Sequence, residues 1–226
     1  MNKYVGVTSI YSPEFVIASP YFDTYVNIIN SNQSRGATVN ITVHAPDGHV
    51  LAGPATFVLP PNAQIKDNLL AIFQNNPALK NQTGWIEVDS SVDRIVGTVS
   101  ITNDSISFLT SFEMSGVPSS NFAFPLVAED STYNTGVTLL NTGTQSAHVT
   151  LELWGLGGTK DATASVTLAP NTQLAQALDA LFLGMQPHTT ANLRVHSDQP
   201  VHGYAYFFDR VMHFVSAVSP VPYQGQ

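Results

Sequence analysis

Val26-Asn27-Ile28-Ile29-Asn30 and Val137-Thr138-Leu139-Leu140-Asn141 are one phrase written twice, an apolar stretch closed by asparagine, at a spacing of 141 − 30 = 111 residues. The match continues downstream. Ala37-Thr38-Val39-Asn40-Ile41-Thr42-Val43 answers Ala147-His148-Val149-Thr150-Leu151-Glu152-Leu153, and Leu59-Pro60-Pro61-Asn62 answers Leu168-Ala169-Pro170-Asn171. Leu69-Leu70-Ala71-Ile72-Phe73 answers Leu178-Asp179-Ala180-Leu181-Phe182, and Ile86-Glu87-Val88 with Gly97 answers Leu193-Arg194-Val195 with Gly203. The spacing drifts by only a few residues, and the changes fall in turns, which is what duplication of a folded unit leaves behind. The repeated positions are apolar residues and turn formers, so the repeat records a fold and names no reaction.

With 226 residues, the chain accommodates two domains, each large enough to bury its own core. A composition of 43% hydrophobic and 11% charged residues is that of an ordered protein whose surface polarity comes from Ser, Thr, Asn and Gln. The formal net charge is −8, and the basic residues are scattered singly, which disfavours nucleic acid as a partner. The absence of cysteine excludes thiol catalysis, thiolate zinc sites and disulfides. No apolar run is long enough to span a membrane, and the first ten residues lack the apolar stretch of a signal peptide, so the expectation is either a cytoplasmic protein or one whose signal has been removed.

Most of the chain alternates with period two. Val39, Ile41 and Val43 fall on one face and Asn40 and Thr42 on the other, the pattern of a strand in a half-wet antiparallel sheet. Ala45-Pro46-Asp47-Gly48 and Gly155-Leu156-Gly157-Gly158 mark equivalent tight turns. Strands punctuated in this way, twice over, predict two tandem Ig-like antiparallel β-sandwich domains, residues 1–117 and 118–226, in an all-β chain. One segment in each half reads otherwise. Ile65, Leu69, Ile72 and Phe73, and again Leu174, Leu178, Leu181 and Phe182, have the spacing of an amphipathic stripe, so each half is expected to hold one short helix capped by Asn62 or Asn171.

Phe108-Leu109-Thr110-Ser111-Phe112-Glu113-Met114 has the look of the leading stretch Tyr4 to Ile10 and of Phe214-Val215-Ser216-Ala217-Val218-Ser219-Pro220. The two repeats are therefore bracketed by three strand-like segments. The central one is expected to end the first domain, and the leading strand, residues 4–10, to fill an edge of that domain or to pair with a neighbouring molecule.

Seven histidines lack the convergent spacing of metal ligands, and where a repeat partner is assigned it is not histidine, so no metal site is expected. Glu129-Asp130-Ser131 and the stretch from Asp89 to Asp93 offer oxygens for calcium but read more simply as solvated turns. There is no G-x-S-x-G and no phosphate loop, and no catalytic residue or cofactor is assigned. The most arguable feature is Tyr204-Ala205-Tyr206-Phe207-Phe208, which sets Tyr204, Tyr206 and Phe208 on one strand face as a platform for sugar rings or an interface, or as a core-facing ladder. Trp85, at a strand start after Gly84, is expected to be buried.

Gly84-Trp85-Ile86-Glu87-Val88-Asp89-Ser90, with Val96 and Gly97, resembles a repeat of secreted and surface proteins of environmental bacteria with the pattern G-W-[IV]-x-V-x-S…P-[LV]-x-G. Val195-His196-Ser197 with Pro200, Val201 and Gly203 keeps part of it, and Phe124-Pro125-Leu126 with Tyr133 to Asn141 resembles its upstream strand pair. The resemblance implies an Ig-like sandwich, exported and often arrayed, with no assigned activity. The expectation is a non-enzymatic, extracellular or cell-surface structural protein, a surface, matrix or filament component. Its partners would be copies of itself, neighbouring surface proteins or a polysaccharide. The alternative is a carbohydrate-binding tandem module using Tyr204, Tyr206 and Phe208.

Overall fold

The structure, a computed structural model, describes residues 6–103, 108–184 and 188–223. Their regular secondary structure is nearly all antiparallel β-strand, of the Ig-like β-sandwich class, and they divide into two compact units, Met1–Val117 and Pro118–Gln226. No described helix is long and apolar enough to cross a membrane.

The first unit runs β1 (Ser9–Ile17), β2 (Asp23–Asn30), β3 (Ala37–His44), β4 (Val50–Leu59), β5 (Gln64–Asn68), α1 (Leu69–Ile72), a 3-10 turn at Pro77–Leu79, β6 (Gln82–Ser90), β7 (Ile95–Thr102) and β8 (Leu109–Glu113). They form two four-stranded sheets, ordered β1-β6-β3-β4 and β5-β2-β7-β8. Alternation decides which side chains go inside. Val39, Ile41, Val43, Ile86 and Val88 of one sheet and Val26, Ile28 and Val99 of the other are fully buried, each side chain contributing roughly 1.5–3 kcal/mol by leaving water. At Gly97 the sheets approach so closely that an added Cβ would stand 2.7 Å from Ile28 Cδ1 and 3.1 Å from Ile10 Cδ1 of the facing β1.

The second unit repeats the order with β9 (Ser119–Glu129), β10 (Tyr133–Asn141), β11 (Ala147–Gly155), β12 (Lys160–Leu168), β13 (Thr172–Ala177), α2 (Leu178–Leu181), β14 (His188–Asp209), β15 (Val215–Val218) and β16 (Val221–Pro222). Here one long strand does the work of two. The first part of β14 pairs with β9 and β11 as β6 pairs with β1 and β3, and from His202 onward it pairs with β10 and β15 as β7 pairs with β2 and β8. Its hydrogen bonding joins all the strands into one ladder, yet the residues still pack as two layers. Phe122, Val149 and Leu193 from one layer meet Val137, Leu139 and Ala205 from the other in a single core cluster. A Cβ at Gly203 would stand 2.7 Å from the ring of Phe122, the counterpart of Ile10 above Gly97. The repeated glycine is thus a place where the facing sheet leaves no room for a side chain.

The repeated asparagine also has a shared reason. Asn30 Nδ2 donates to Arg35 O (2.8 Å), Leu59 O and Pro60 O (3.2 Å each), and its Oδ1 accepts from Asn32 N at 3.1 Å. Asn141 Nδ2 donates to Gln145 O (2.8 Å), Leu168 O (3.0 Å) and Ala169 O (3.2 Å), and its Oδ1 accepts from Gly143 N at 2.9 Å. Both side chains are fully buried. Each pins the loop after its strand to the turn after the fourth strand, bonding carbonyls that are buried at Leu59 and Leu168 and partly buried at the others. A second clamp repeats as well: Thr24 Oγ1 donates to Val16 O at 2.7 Å and Thr135 Oγ1 to Ala128 O at 3.0 Å, with the same residues' amides donating back.

Two expectations need correction. The helices are single turns. Residues 64–68 and 172–177 are edge strands paired with β2 and β10, and Asn62 and Asn171 sit at φ 61° and 58° in turns, while Asn68 caps α1 and Ala177, which makes no side-chain cap bond, precedes α2. Local helical spacing loses here because β2 and β10 need partners for their outer backbone groups. The leading strand runs Ser9–Ile17, beyond the expected end at Ile10, and Gly6 to Thr8 are not part of it; Tyr4 and Val5 lie outside the described residues. It fills the edge of the first sheet against β6 and answers β9, whereas β8 answers β15.

Candidate functional site

The register of the repeats places equivalent residues on the outer face of the first sheet of each unit. In the first unit His44 lies opposite Trp85, Thr42 opposite Glu87, and Glu87 opposite Tyr11 of β1. In the second, Trp154 lies opposite Asn192, Glu152 opposite Arg194, and Arg194 opposite Ala123 of β9. After β8, Ser115 pairs with Tyr11; after β15, Val221 pairs with Ala123, so Val117 and Tyr223 also correspond.

In the first unit this face is filled. The His44 and Trp85 rings stack in parallel, centroids 3.8 Å apart and planes within 3°, with Tyr11 6.4 Å from Trp85. Trp85 is buried, as its place in the strand predicts. Glu87 Oε2 stands 3.3 Å from His44 Nε2, close enough for attraction without an aligned hydrogen bond. Its carboxyl is held below the usual range, chiefly by His44. Burial, with Glu87 and Asp89 beside it, pushes the Tyr11 hydroxyl up to about 12.

In the second unit the same face is hollow. Glu152, Trp154, Arg194, His196 and Tyr223 line an open depression of about 540 Å³. The Arg194 guanidinium lies 4.0 Å over the Trp154 ring and 4.9 Å from that of Tyr223, and donates to Tyr223 OH at 2.9 Å. Glu152 accepts from Lys160 Nζ at 3.0 Å and Trp154 Nε1 at 3.1 Å, and Lys160 above all holds its carboxyl below the ordinary range. His196 is fixed by Asn121 Oδ1 at 2.8 Å and meets Tyr223 edge-on at 5.6 Å. The short strand β16 puts Tyr223 there.

Tyr204, Tyr206 and Phe208 share a face, opposite Thr138, Gly136 and Asn134, but it is the face turned away from the inter-sheet core, which Val137, Leu139 and Ala205 line. Tyr204 is only 5% exposed, so its ring offers little to a ligand. Tyr206 and Phe208 are half-buried, with ring centroids 5.8 Å apart. The calcium-like stretches are engaged elsewhere: Arg210 Nη2 donates to Glu129 at 2.5 Å, Asp130 Oδ1 accepts from the amides of Thr132 and Tyr133, and Asp93 pairs with Arg35. Among the described residues no group of three His, Cys, Asp or Glu is arranged to hold a metal ion.

The hollow escapes a reading of the sequence because its residues are strangers in the chain. The available signal was the outward i, i+2 pairs, Glu152 with Trp154 and Arg194 with His196, on strands that the repeat makes neighbours.

A family of unknown function, DUF5719, matches residues 116–203, most of the second unit but less than half of the chain. No curated protein matches. Among solved structures, the chain is similar to the Thermotoga maritima 1070 protein, with 16% identity and a TM-score of 0.42 over 48% of this chain and 98% of that one. It is similar to the Anabaena sensory rhodopsin transducer with 23% identity and a TM-score of 0.33, over 42% of this chain and 95% of that one. The pilus backbone protein RrgB of Streptococcus pneumoniae is 12% identical with a TM-score of 0.25, over 98% of this chain and 54% of that one. At these scores the likenesses decide nothing about function.

Proposed function

We propose that the chain is a non-enzymatic structural and interaction protein of the extracellular or cell-surface kind, a surface, matrix or filament component that associates with copies of itself or with neighbouring surface proteins. The observation that carries this reading is what the duplication keeps and what it changes. The Asn30 and Asn141 latches, the Thr24 and Thr135 clamps and the Gly97 and Gly203 contacts are the same in both units. The outer faces differ: Tyr11, Trp85 and Glu87 stand where the second unit has Ala123, Asn192 and Arg194. A scaffold with a constant interior and divergent faces suits recognition. Edge strands support it further. β4 is the last strand of its sheet, pairing among the described residues with β3 alone, and carries Val50 and Val58 exposed at 55% and 76%, an edge that suits strand addition.

Light scattering and negative-stain imaging of the purified chain across a concentration series test the proposal. Growth in mass with concentration, reduced by Val58→Lys, is the expected result. A monomer throughout contradicts self-association, and turnover in an activity screen contradicts the non-enzymatic reading.

A further inference from the structure

We propose that the hollow on the second unit binds an acidic saccharide, a segment of a hexuronate-bearing polysaccharide. The hollow lies on the face that aromatic side chains fill in the first unit. Two aromatic side chains that fill the equivalent face of the first unit, Tyr11 and Trp85, are replaced by Ala123 and Asn192. The space they leave is rimmed by two different aromatics, with Trp154 in the place of His44 and Tyr223 in the place of Val117. A depression of about 540 Å³ lies within the range of small-ligand sites, ~300–1,000 Å³.

Charge selects the ligand class. The chain has 16 acidic and 8 basic side chains, so an arginine is expected to find a carboxylate partner. Arg35, Arg94 and Arg210 each have one. Among the described residues Arg194 has none: its bonds go to Tyr223 OH and Asn192 Oδ1. Stacking on Trp154 holds the guanidinium flat, and two of its five N–H donors account for those bonds, leaving the rest for a carboxylate. Glu152 does not cancel this charge, because Lys160 already pairs with it. Around the cation stand amide and carboxylate groups that suit sugar hydroxyls, Asn121, Asn192 and Glu152, beside indole and phenol rings that suit the C–H face of a pyranose. One hexuronate residue presents all three chemistries.

Calorimetric titration of the full chain, in its monodisperse fraction, with oligogalacturonate, its methyl ester and a neutral gluco-oligomer of equal length tests the site separately from assembly. The acid form should bind at least about tenfold more tightly than the ester or the neutral oligomer. Asn192→Trp, which refills the space as in the first unit, and Arg194→Gln should each weaken binding by at least about tenfold, with thermal unfolding reporting that the variants fold. Equal affinity for acid and ester, no binding of the acid form, or unchanged binding in folded Arg194→Gln would overturn the proposal. Equally tight binding of oligoglutamate would overturn the saccharide class.

Discussion

The ring of Tyr206 lies across Gly136, its cross-strand partner, so closely that a Cβ on Gly136 would stand 2.3 Å from Tyr206 Cζ. In the first unit the equivalent pair is Tyr25 and Ser100. The aromatic ring has changed strands between the repeats while the pair has kept one large and one small member, a compensation that marks the outer surface of this sheet as packed. Gly136→Val should therefore cost about 1–3 kcal/mol by overpacking. Adding Tyr206→Ser should recover most of that cost, which a double-mutant cycle in urea would measure.

Asn141→Ala removes the donor for three carbonyls and should destabilise the second unit by at least about 2 kcal/mol, with Asn30→Ala doing the same to the first. Asn141→Asp should be worse, since a carboxylate would face those carbonyls. In calorimetry each substitution should lower one of two transitions and spare the other.

The pH dependence follows from His202, 4% exposed, where burial lowers the imidazole pKa from 6.5 to about 4. The unfolded chain takes up this proton first as pH falls, so the contribution of neutral His202 is complete above about 6.5 and is lost on descending toward 4. The loss is on the order of 3 kcal/mol. Urea midpoints measured between these limits should fall with pH in the native chain and much less in His202→Gln. Glu87 and Glu152, with lowered pKa values, act further down: their contribution is present above the ordinary carboxylate range and is lost as pH falls through their own values.

The two tryptophans should report separately. Trp85, 2% exposed, should emit at short wavelength and resist acrylamide, and Trp154, at the rim of the hollow, should be quenched readily. Trp85→Phe and Trp154→Phe isolate each signal, and similar quenching constants would contradict the assigned environments.

Much of the fold was legible in the repeat. Asn30 and Asn141, Gly97 and Gly203 and the two Gly-bearing turns recur because each is required by packing or hydrogen bonding, and the strands between them alternate as half-buried strands must. The helices were overestimated because Ile65 and Leu174 fit a helical stripe and a strand face equally well, and the pairing of Ile65 with Ile28 and of Leu174 with Leu139 is a long-range fact that local spacing does not contain. That His188–Asp209 forms the single strand β14 is not contained in the repeat, because β6 and β7 of the first unit are separate strands. The hollow was hidden for another reason. Trp154, Arg194 and Tyr223 become neighbours only through strand register, and Tyr223 only through β16.

The account rests on each unit carrying its own complete core, and separate expression of residues 1–117 and 118–226 with calorimetric unfolding tests this most directly. Each fragment should fold cooperatively, with a transition matching one of the two in the intact chain. Fragments that stay unfolded, from an intact chain that melts in a single transition, would contradict it.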